Sequence, residues 1–162
     1  MIPSKRFWGV LLAASLVACG PDRDVKDPVG DREVMGLWVV SLDTLEILRR
    51  DGFVPDENNP LYVNLHPNGS CGRFSAEQDW NTGKPKVFLS SVCRWKHLRD
   101  AKIGANARQK NLIELRLEEG QGERSRHLHL GRRDGELFLW EFYGDPDNGE
   151  YVEYVRNFVR RS

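Results

Sequence analysis

The chain has 162 residues, and its 24 basic and 24 acidic side chains leave no net charge at pH 7. It therefore lacks the basic surplus that is typical of proteins that bind nucleic acid. The length suits one domain with its own hydrophobic core. No apolar run reaches the roughly 20 residues that a helix needs to cross a bilayer, so the sequence predicts a soluble domain.

The N-terminus has the pattern of a cleaved export signal. Lys5 and Arg6 precede an uncharged apolar stretch from Phe7 to Leu16, and the small residue Ala18 follows. A basic start, a short apolar region and a small residue at the cut are typical of secretory signals. Since the apolar stretch is about half as long as a transmembrane helix, the sequence predicts a signal peptide over residues 1–18.

Residues Leu16-Val17-Ala18-Cys19 resemble the lipobox of bacterial lipoproteins. In that family the cysteine thiol receives a diacylglyceryl group, and the cysteine becomes the first residue and is usually acylated again at its amine. The resemblance implies lipidation of Cys19, with acyl chains such as palmitate, and two or three chains anchor a protein stably. Gly20 in place of Asp implies the outer membrane, with the domain facing the periplasm or the cell surface. An ordinary secretory signal with a cysteine at the cut is the alternative.

The segment after Cys19 is polar and is interrupted by Pro21, Pro28 and Gly30. Such a segment cannot bury enough apolar surface to fold alone. We therefore predict a flexible tether over residues 19–32 and a single domain over residues 33–162.

Within residues 33–162, short apolar runs alternate with turn residues. These runs predict eight strands: Met35–Leu42, Leu61–His66, Cys71–Glu77, Lys86–Trp95, Leu112–Glu118, Ser125–Arg132, Glu136–Tyr143 and Tyr151–Phe158. A short amphipathic helix is predicted over Thr44–Asp51, entered at Asp43. Leu98–Lys110 is predicted to be a long connection.

Period-two alternation supports the strands, since Leu61, Val63 and Leu65 share one face. Short links such as Asp134-Gly135, which fits a type I′ turn, make sequential strands antiparallel neighbours. We therefore predict an all-β fold, an up-and-down barrel of about eight antiparallel strands with one short helix, and keep a β-sandwich as the alternative. The seventh run is apolar on both faces, so either its outer face is covered or a patch around Leu137 and Leu139 contacts a partner.

Two cysteines, Cys71 and Cys93, remain once Cys19 is lipidated. The compartment beyond the inner membrane is oxidising, so a pair in an exported domain favours a disulfide. The bridge would close a loop of roughly 23 residues, which the chain-entropy model equates with about 3 kcal/mol of stability.

The first and last strands carry a resemblance to small bacterial lipocalin-like domains. Gly36-Leu37-Trp38 is a Gly-x-Trp in the opening strand, Leu65 to Cys71 looks like that family's strand-turn-strand, and Trp95 is the late tryptophan. In that superfamily the tryptophan closes one end of the barrel, and a basic residue of the last strand lies across its ring. The resemblance thus implies that Trp38 and Arg156 close this barrel.

Several aromatic residues could line a ligand pocket, as at many barrel mouths: Phe74, Trp95, Phe138, Trp140 and Phe142. The alternative is that side chains fill the interior of the barrel. The two interpretations remain open at this stage.

Other side chains could serve chemistry, but each has a plainer interpretation. His127 and His129 share a strand face and could hold Zn²⁺ with a third ligand, or they could be polar members of an alternating pattern. Four oxygen side chains in one loop could bind Ca²⁺ or form an ordinary turn: Asp145, Asp147, Asn148 and Glu150. Ser90-Ser91 lacks a nucleophile elbow. We expect no enzyme activity, no cofactor and no metal.

The sequence thus leads to two functional expectations. The first is a membrane-tethered lipoprotein whose lipocalin-like domain binds a small apolar ligand or an envelope protein. The second is an accessory lipoprotein that supports an envelope or secretion assembly and holds no internal ligand.

Overall fold

The computed structural model describes residues 24–54, 56, 59–79, 81–103, 107–119, 122–143 and 150–156. Within these residues the chain forms a closed barrel of eight antiparallel strands. The predicted all-β barrel is therefore confirmed, and the β-sandwich alternative is wrong. Neither helix of the described part has the length and apolar character of a membrane span. The predicted signal peptide and Cys19 lie outside the described residues.

The strands, in chain order, are β1 (Gly36–Val40), β2 (Tyr62–Leu65), β3 (Ser70–Gln78), β4 (Pro85–Ile103), β5 (Ala107–Glu119), β6 (Gly122–Arg133), β7 (Glu136–Phe142) and β8 (Tyr151–Arg156). Two short helices, α1 (Asp31–Val34) and α2 (Leu42–Arg50), flank β1. Each strand pairs with the next along the chain, and β8 pairs with β1 to close the barrel. We call the end where β1 begins the N-terminal end, and the opposite end the α2 end.

The strand register decides which side chains face the interior. Trp38 of β1 is flanked by Val63 of β2 and by Arg156 of β8. Together with Leu115 and Leu128, Trp38 and Val63 belong to a buried apolar core. The core extends from Trp38 to Leu48 of α2 and removes apolar surface from water.

The β3–β4 pair carries the predicted disulfide. Cys71 and Cys93 stand directly opposite each other in the ladder, with their Cα atoms 4.8 Å apart, and their sulfur atoms are bonded. Both side chains are buried in the core. The disulfide prediction is therefore confirmed.

The tight turn between β6 and β7 also follows the sequence. Asp134 and Gly135 both have positive φ, at 53° and 84°. Two positive φ angles at the central positions are what a type I′ hairpin requires.

Helix α2 begins slightly earlier than predicted. Ser41, and not Asp43, is its N-cap, because the Ser41 Oγ accepts a hydrogen bond from the Thr44 N–H (3.2 Å). Leu48 of the helix is fully buried, and the Thr44 Oγ1 accepts from the Glu153 N–H (2.9 Å). The helix therefore packs against the rim of the barrel beside β8.

The predicted connection over Leu98–Lys110 is wrong. There β4 and β5 continue as a paired ribbon as far as Ile103 and Ala107, beyond the last residues that pair with β3 and β6. The ribbon carries exposed polar side chains such as Arg99 and Lys102. Its sequence therefore lacks the apolar–polar alternation that would have predicted strands here. It forms because the register set inside the barrel continues outward.

The predicted tether over residues 19–32 needs a correction in its second half. Val25 and Val29 are buried against the barrel. The Asn111 amide donates to the Val25 carbonyl oxygen (2.8 Å) and so holds this segment in place. The packed part of the chain therefore includes residues 24–32. The sequence did not reveal this, because Val25 and Val29 are two isolated apolar residues among polar neighbours.

Candidate binding sites

The N-terminal end of the barrel is sealed by the predicted pair. The guanidinium carbon of Arg156 lies 4.4 Å from the centre of the Trp38 ring. Arg156 also donates through Nη1 to the Met35 carbonyl oxygen (2.9 Å) and through Nη2 to that of Glu33. The Trp38 indole N–H donates to the Val34 carbonyl oxygen (2.8 Å). Burial lowers the pKa of Arg156 from its ordinary value. This arrangement confirms the predicted contact and covers the N-terminal end with residues 33–35.

Gly36 leaves the space that the arginine needs. Its φ is +117°, and a Cβ atom at this position would lie 3.1 Å from the Arg156 Nη1. A larger residue would strain the backbone and crowd the guanidinium. The Gly-x-Trp pattern therefore has a local physical cause in this chain.

The aromatic residues predicted to line a pocket do not converge on one cavity. On β7, Leu139 faces the core, so the alternating residues Phe138, Trp140 and Phe142 lie on the outer face. Trp140 is nevertheless buried, because the His129 ring stacks on it with 4.1 Å between ring centres, and the Phe142 ring packs edge-on with 5.2 Å between ring centres. Leu139 is fully buried and Leu137 packs against the core, so the alternative of an outer contact patch around these two residues is wrong.

The two remaining aromatic candidates lie on other parts of the barrel. Phe74 lies 6.5 Å from Tyr62, between ring centres, on the neighbouring strand β2. Trp95 donates its indole N–H to the carbonyl oxygen of His66 (2.8 Å) in the β2–β3 turn. These contacts stabilise turns and strand pairs and do not form a shared cavity.

An apolar pocket does lie at the α2 end, between α2 and the segment that leads to β2. Its volume is about 300 Å³, at the small end of the range typical of ligand sites. Its apolar wall consists of Val40, Leu42, Leu45, Phe53, Pro60 and Leu61. Arg49, Asp56 and Asn59 supply polar groups at the same pocket. We call this cavity the α2 pocket.

The barrel interior is charged towards the α2 end. The Arg73 Nη2 donates to the Glu141 Oε1 (2.6 Å), and the Tyr154 hydroxyl donates to the same oxygen (2.9 Å). All three side chains are buried. Burial, reinforced by the negative charge of Glu141, raises the pKa of Tyr154 well above its ordinary value, so its hydroxyl stays neutral. Burial alone would lower the pKa of Arg73, but the combined effects of Glu141, Tyr154 and Glu77 outweigh burial and raise this pKa.

A second carboxylate extends this charged group. Glu77 lies 3.5 Å from the Arg73 Nη2 through its Oε1, and its Oε2 accepts from Arg126 and from Arg124 (3.3 Å). These five charged residues come from β3, β6 and β7. We call Arg73, Glu77, Arg124, Arg126 and Glu141 the interior charged cluster.

The two histidines of β6 follow the alternating pattern. Leu128, which separates the two histidines, and Leu130, which follows them, are buried, while His127 is exposed. His129 packs on Trp140, and burial, with a smaller effect of His127, lowers its pKa to about 4. Within the described residues no group of three potential ligands could hold a metal ion.

The remaining candidates have other partners or lie outside the described residues. The Ser90 hydroxyl donates to the Val92 carbonyl oxygen (3.1 Å). Glu150 accepts a hydrogen bond from Arg50 (2.6 Å). Asp145, Asp147 and Asn148 of the predicted loop lie outside the described residues.

Comparisons with protein-family models, with curated proteins and with solved structures find no match for this chain.

Sequence reasoning missed both the α2 pocket and the interior charged cluster. The pocket combines a helix with a loop that carries no periodic pattern. The cluster had one available signal: Arg73, Ser75 and Glu77 share the strand face of Cys71, and cysteine is among the residues most often buried.

Proposed function

We propose that this protein is a lipid-anchored binding protein of the bacterial outer membrane and that it holds a small apolar molecule in the α2 pocket. The lipobox-like Leu16 to Cys19 supports the anchor, and the apolar wall of the α2 pocket supports the ligand class. The proposal includes no catalysis. It moves the expected ligand from the aromatic residues to the helix and loop at the α2 end.

The composition of the α2 pocket is the single observation that indicates an apolar ligand. Six of its nine lining residues are apolar, and Leu42 remains 76% exposed at its edge. Exposed apolar surface at a concave site is stabilised when a ligand removes it from water. The polar groups Arg49 and Asn59 then suit a ligand with one polar end.

The test is photolabelling of the lipidated protein in its own membranes with an alkyl diazirine. We expect the label on residues 42–61. Leu42→Asp should reduce labelling severalfold, because it places a carboxylate at the apolar wall. The variant should still form α2, since an acidic residue in the first turn of a helix interacts favourably with the helix dipole. Val54→Asp is the matched control, since Val54 is 86% exposed and is not a lining residue.

Labelling that is equal in Leu42→Asp and wild type, or that falls mainly elsewhere on the chain, would overturn the ligand proposal. Circular dichroism of both variants would verify that α2 still forms.

A second candidate is the accessory lipoprotein without an internal ligand, attached to an envelope protein. It is favoured by exposed apolar side chains on the outer face of β4, where Leu89 is 69% and Val92 51% exposed. Together with Tyr62 and Gly72 they line a depression of about 660 Å³. Exposed Arg94 adds positive charge beside them, so the partner surface would be apolar with acidic groups.

This candidate is tested with a photo-crosslinking amino acid placed at Leu89 in living cells. It predicts one discrete adduct with an envelope protein that Arg94→Glu weakens, and no adduct from the same amino acid at exposed Ser125 on β6. Equal adducts from both positions, or none from Leu89, would contradict it.

A further inference from the structure

The paired ribbon that continues past the barrel consists of residues 99–103 of β4 and 107–110 of β5, and we call it the β4–β5 ribbon. We propose that this ribbon contacts the membrane that holds Cys19 and binds the phosphate groups of anionic phospholipids through Lys102, Arg108 and Lys110. The inference rests on the proposed lipid anchor and is independent of a ligand in the α2 pocket.

An acylated Cys19 would hold the ribbon close to the membrane surface. Asp24, the first residue that the structure describes, follows Cys19 by five positions, so a fully extended connection spans at most about 18 Å. The Asp24 carboxylate accepts a hydrogen bond from the side-chain amide of Gln109 in the ribbon (3.3 Å). Lys102 and Arg108 pair with each other one ladder position further out. The anchor therefore places this end of the ribbon within reach of the lipid headgroups.

The ribbon concentrates positive charge in a chain that has no net charge. From residue 99 to residue 110 the sequence has four basic side chains and one acidic one, Asp100, and all five are exposed. The segment 24–32, which packs at the base of the ribbon, adds two basic and three acidic side chains. The combined surface has six basic and four acidic side chains and keeps a net charge of +2.

The acidic residues with side-chain contacts to the ribbon from this segment lie at its base. The Asp31 Oδ1 lies 2.9 Å from the His97 Nδ1 and 3.4 Å from the Arg99 Nη2. Asp24 contacts Gln109. The positive charge of the ribbon is therefore least compensated at its outer end.

At that outer end, two basic residues stand directly opposite each other. Lys102 and Arg108 are ladder partners, and like charges at such positions destabilise a sheet. The Asp100 Oδ2 lies 3.4 Å from the Arg108 Nη1, but both side chains are more than half exposed, so this ion pair is weak. The five residues between Lys102 and Arg108 carry no charge in the sequence. Anions outside the chain would relieve the repulsion, and the tip has no carboxylate that would repel them.

A depression beside the ribbon provides a place for a phosphate group. Its volume is about 260 Å³. Three basic residues contribute to its wall, with Asp24 as the acidic one: Lys26, Arg108 and Lys110. Ammonium and guanidinium groups donate strong, charge-assisted hydrogen bonds to phosphate oxygens. A single dissolved phosphate could occupy the depression, but a membrane surface meets the depression and Lys102 together.

The experiment is ¹H–¹⁵N NMR of the lipidated protein in nanodiscs that contain a trace of a phospholipid with a gadolinium chelate on its headgroup. The nanodiscs consist of phosphatidylcholine, alone or in an equal mixture with phosphatidylglycerol. Gadolinium broadens the signals of amides near the membrane surface. We expect severalfold stronger broadening at residues 99–110 in the anionic nanodiscs than in the neutral ones, and sodium chloride should reverse it, since salt screens exposed charges. Glu118, near the other end of β5, should be broadened weakly in both.

Two double variants test whether the basic side chains make this contact. Lys102→Gln/Arg108→Gln should weaken it about fivefold for each charge removed. The variant should remain folded, because it removes a pair of like charges. Lys84→Gln/Arg116→Gln is the matched control, since it also removes one exposed lysine and one exposed arginine but lies outside the ribbon. It should give the broadening of wild type.

Mass spectrometry of the same sample separates this inference from the proposed anchor. With Cys19 acylated, absent broadening at the ribbon, equal broadening in both lipid mixtures, or wild-type broadening in Lys102→Gln/Arg108→Gln would overturn the headgroup contact and leave the anchor intact. A Cys19 without acyl chains would refute the anchor and the inference that rests on it.

Discussion

Arg156 and Trp38 are direct partners in the β1–β8 ladder, and the guanidinium of Arg156 also lies over the Trp38 ring. The two residues are separated by most of the domain in sequence, yet one contact between them joins its first and last strands. The same guanidinium covers the carbonyl oxygens of Met35 and Glu33. Closure of the sheet and closure of the N-terminal end therefore depend on the same side chain.

Arg156→Ala and Trp38→Ala should each destabilise the domain, and the double variant should lose less than the sum. A desolvated cation–π contact is worth about 2 kcal/mol, and residues that share a contact couple by about 0.5–3 kcal/mol. Urea unfolding of the four proteins gives the coupling free energy. Strictly additive losses would show that the contact contributes nothing.

Loss of the disulfide should destabilise the domain without changing its fold. The Cys71→Ala/Cys93→Ala variant should lose about 3 kcal/mol of unfolding free energy, because its unfolded chain is no longer constrained. Thermal unfolding with and without reductant measures the effect in wild type, and the variant should be insensitive to reductant. Two free thiols in the unfolded, unreduced wild-type domain would contradict the bridge.

Cys19→Ser should abolish lipidation and release the protein from membranes, because it removes the thiol that would receive the acyl chains. Palmitate labelling and membrane fractionation measure the two effects. The Cys71→Ala/Cys93→Ala variant, which keeps Cys19, is the matched control and should remain lipidated. Palmitate retained by Cys19→Ser would refute the anchor.

His129 should make the fold sensitive to acid. Burial and the nearby His127 lower its pKa to about 4 in the folded state, whereas an unfolded histidine has a pKa of about 6.5. The unfolded state therefore binds the proton first, and folded-state stability should fall by about 2–3 kcal/mol as the pH drops from 6.5 to 4. Above pH 6.5 His129 is neutral in both states, so it should not make the unfolding free energy depend on pH.

Urea unfolding at several pH values tests this effect by comparing wild type with His129→Gln, which should lose less stability in acid. His127→Gln, at the exposed neighbouring histidine, should retain most of the acid sensitivity. Parallel pH profiles for wild type and His129→Gln would contradict the assignment.

The barrel could be predicted because the alternation of apolar and polar residues along a strand, and the residues of a tight turn, are local features of the sequence. Leu61, Val63 and Leu65 mark one buried face, and Asp134-Gly135 supplies the turn between β6 and β7. The disulfide followed from the number of cysteines and the expected compartment. Trp38 and Arg156 required the family resemblance, since nothing local links residues at opposite ends of the chain.

The faces of β7 could not be predicted from hydrophobicity alone. Trp140 and Phe142 look like interior residues, yet they lie outside, while Glu141 lies inside with Arg73. The register with both neighbouring strands fixes this choice, and His129 shields Trp140 on the outside. A charged interior is stable only when its partners meet in three dimensions, and a single sequence does not show which strands supply them.

The most direct test of the proposed ligand is native mass spectrometry of the protein purified from its own membranes. The account predicts a mass above that of the triacylated or diacylated chain, with the excess lost on unfolding as a small apolar molecule. The excess should be absent from Leu42→Asp and present in Val54→Asp. A wild-type mass equal to that of the lipidated chain alone, or an excess mass that Leu42→Asp retains, would contradict an apolar ligand in the α2 pocket.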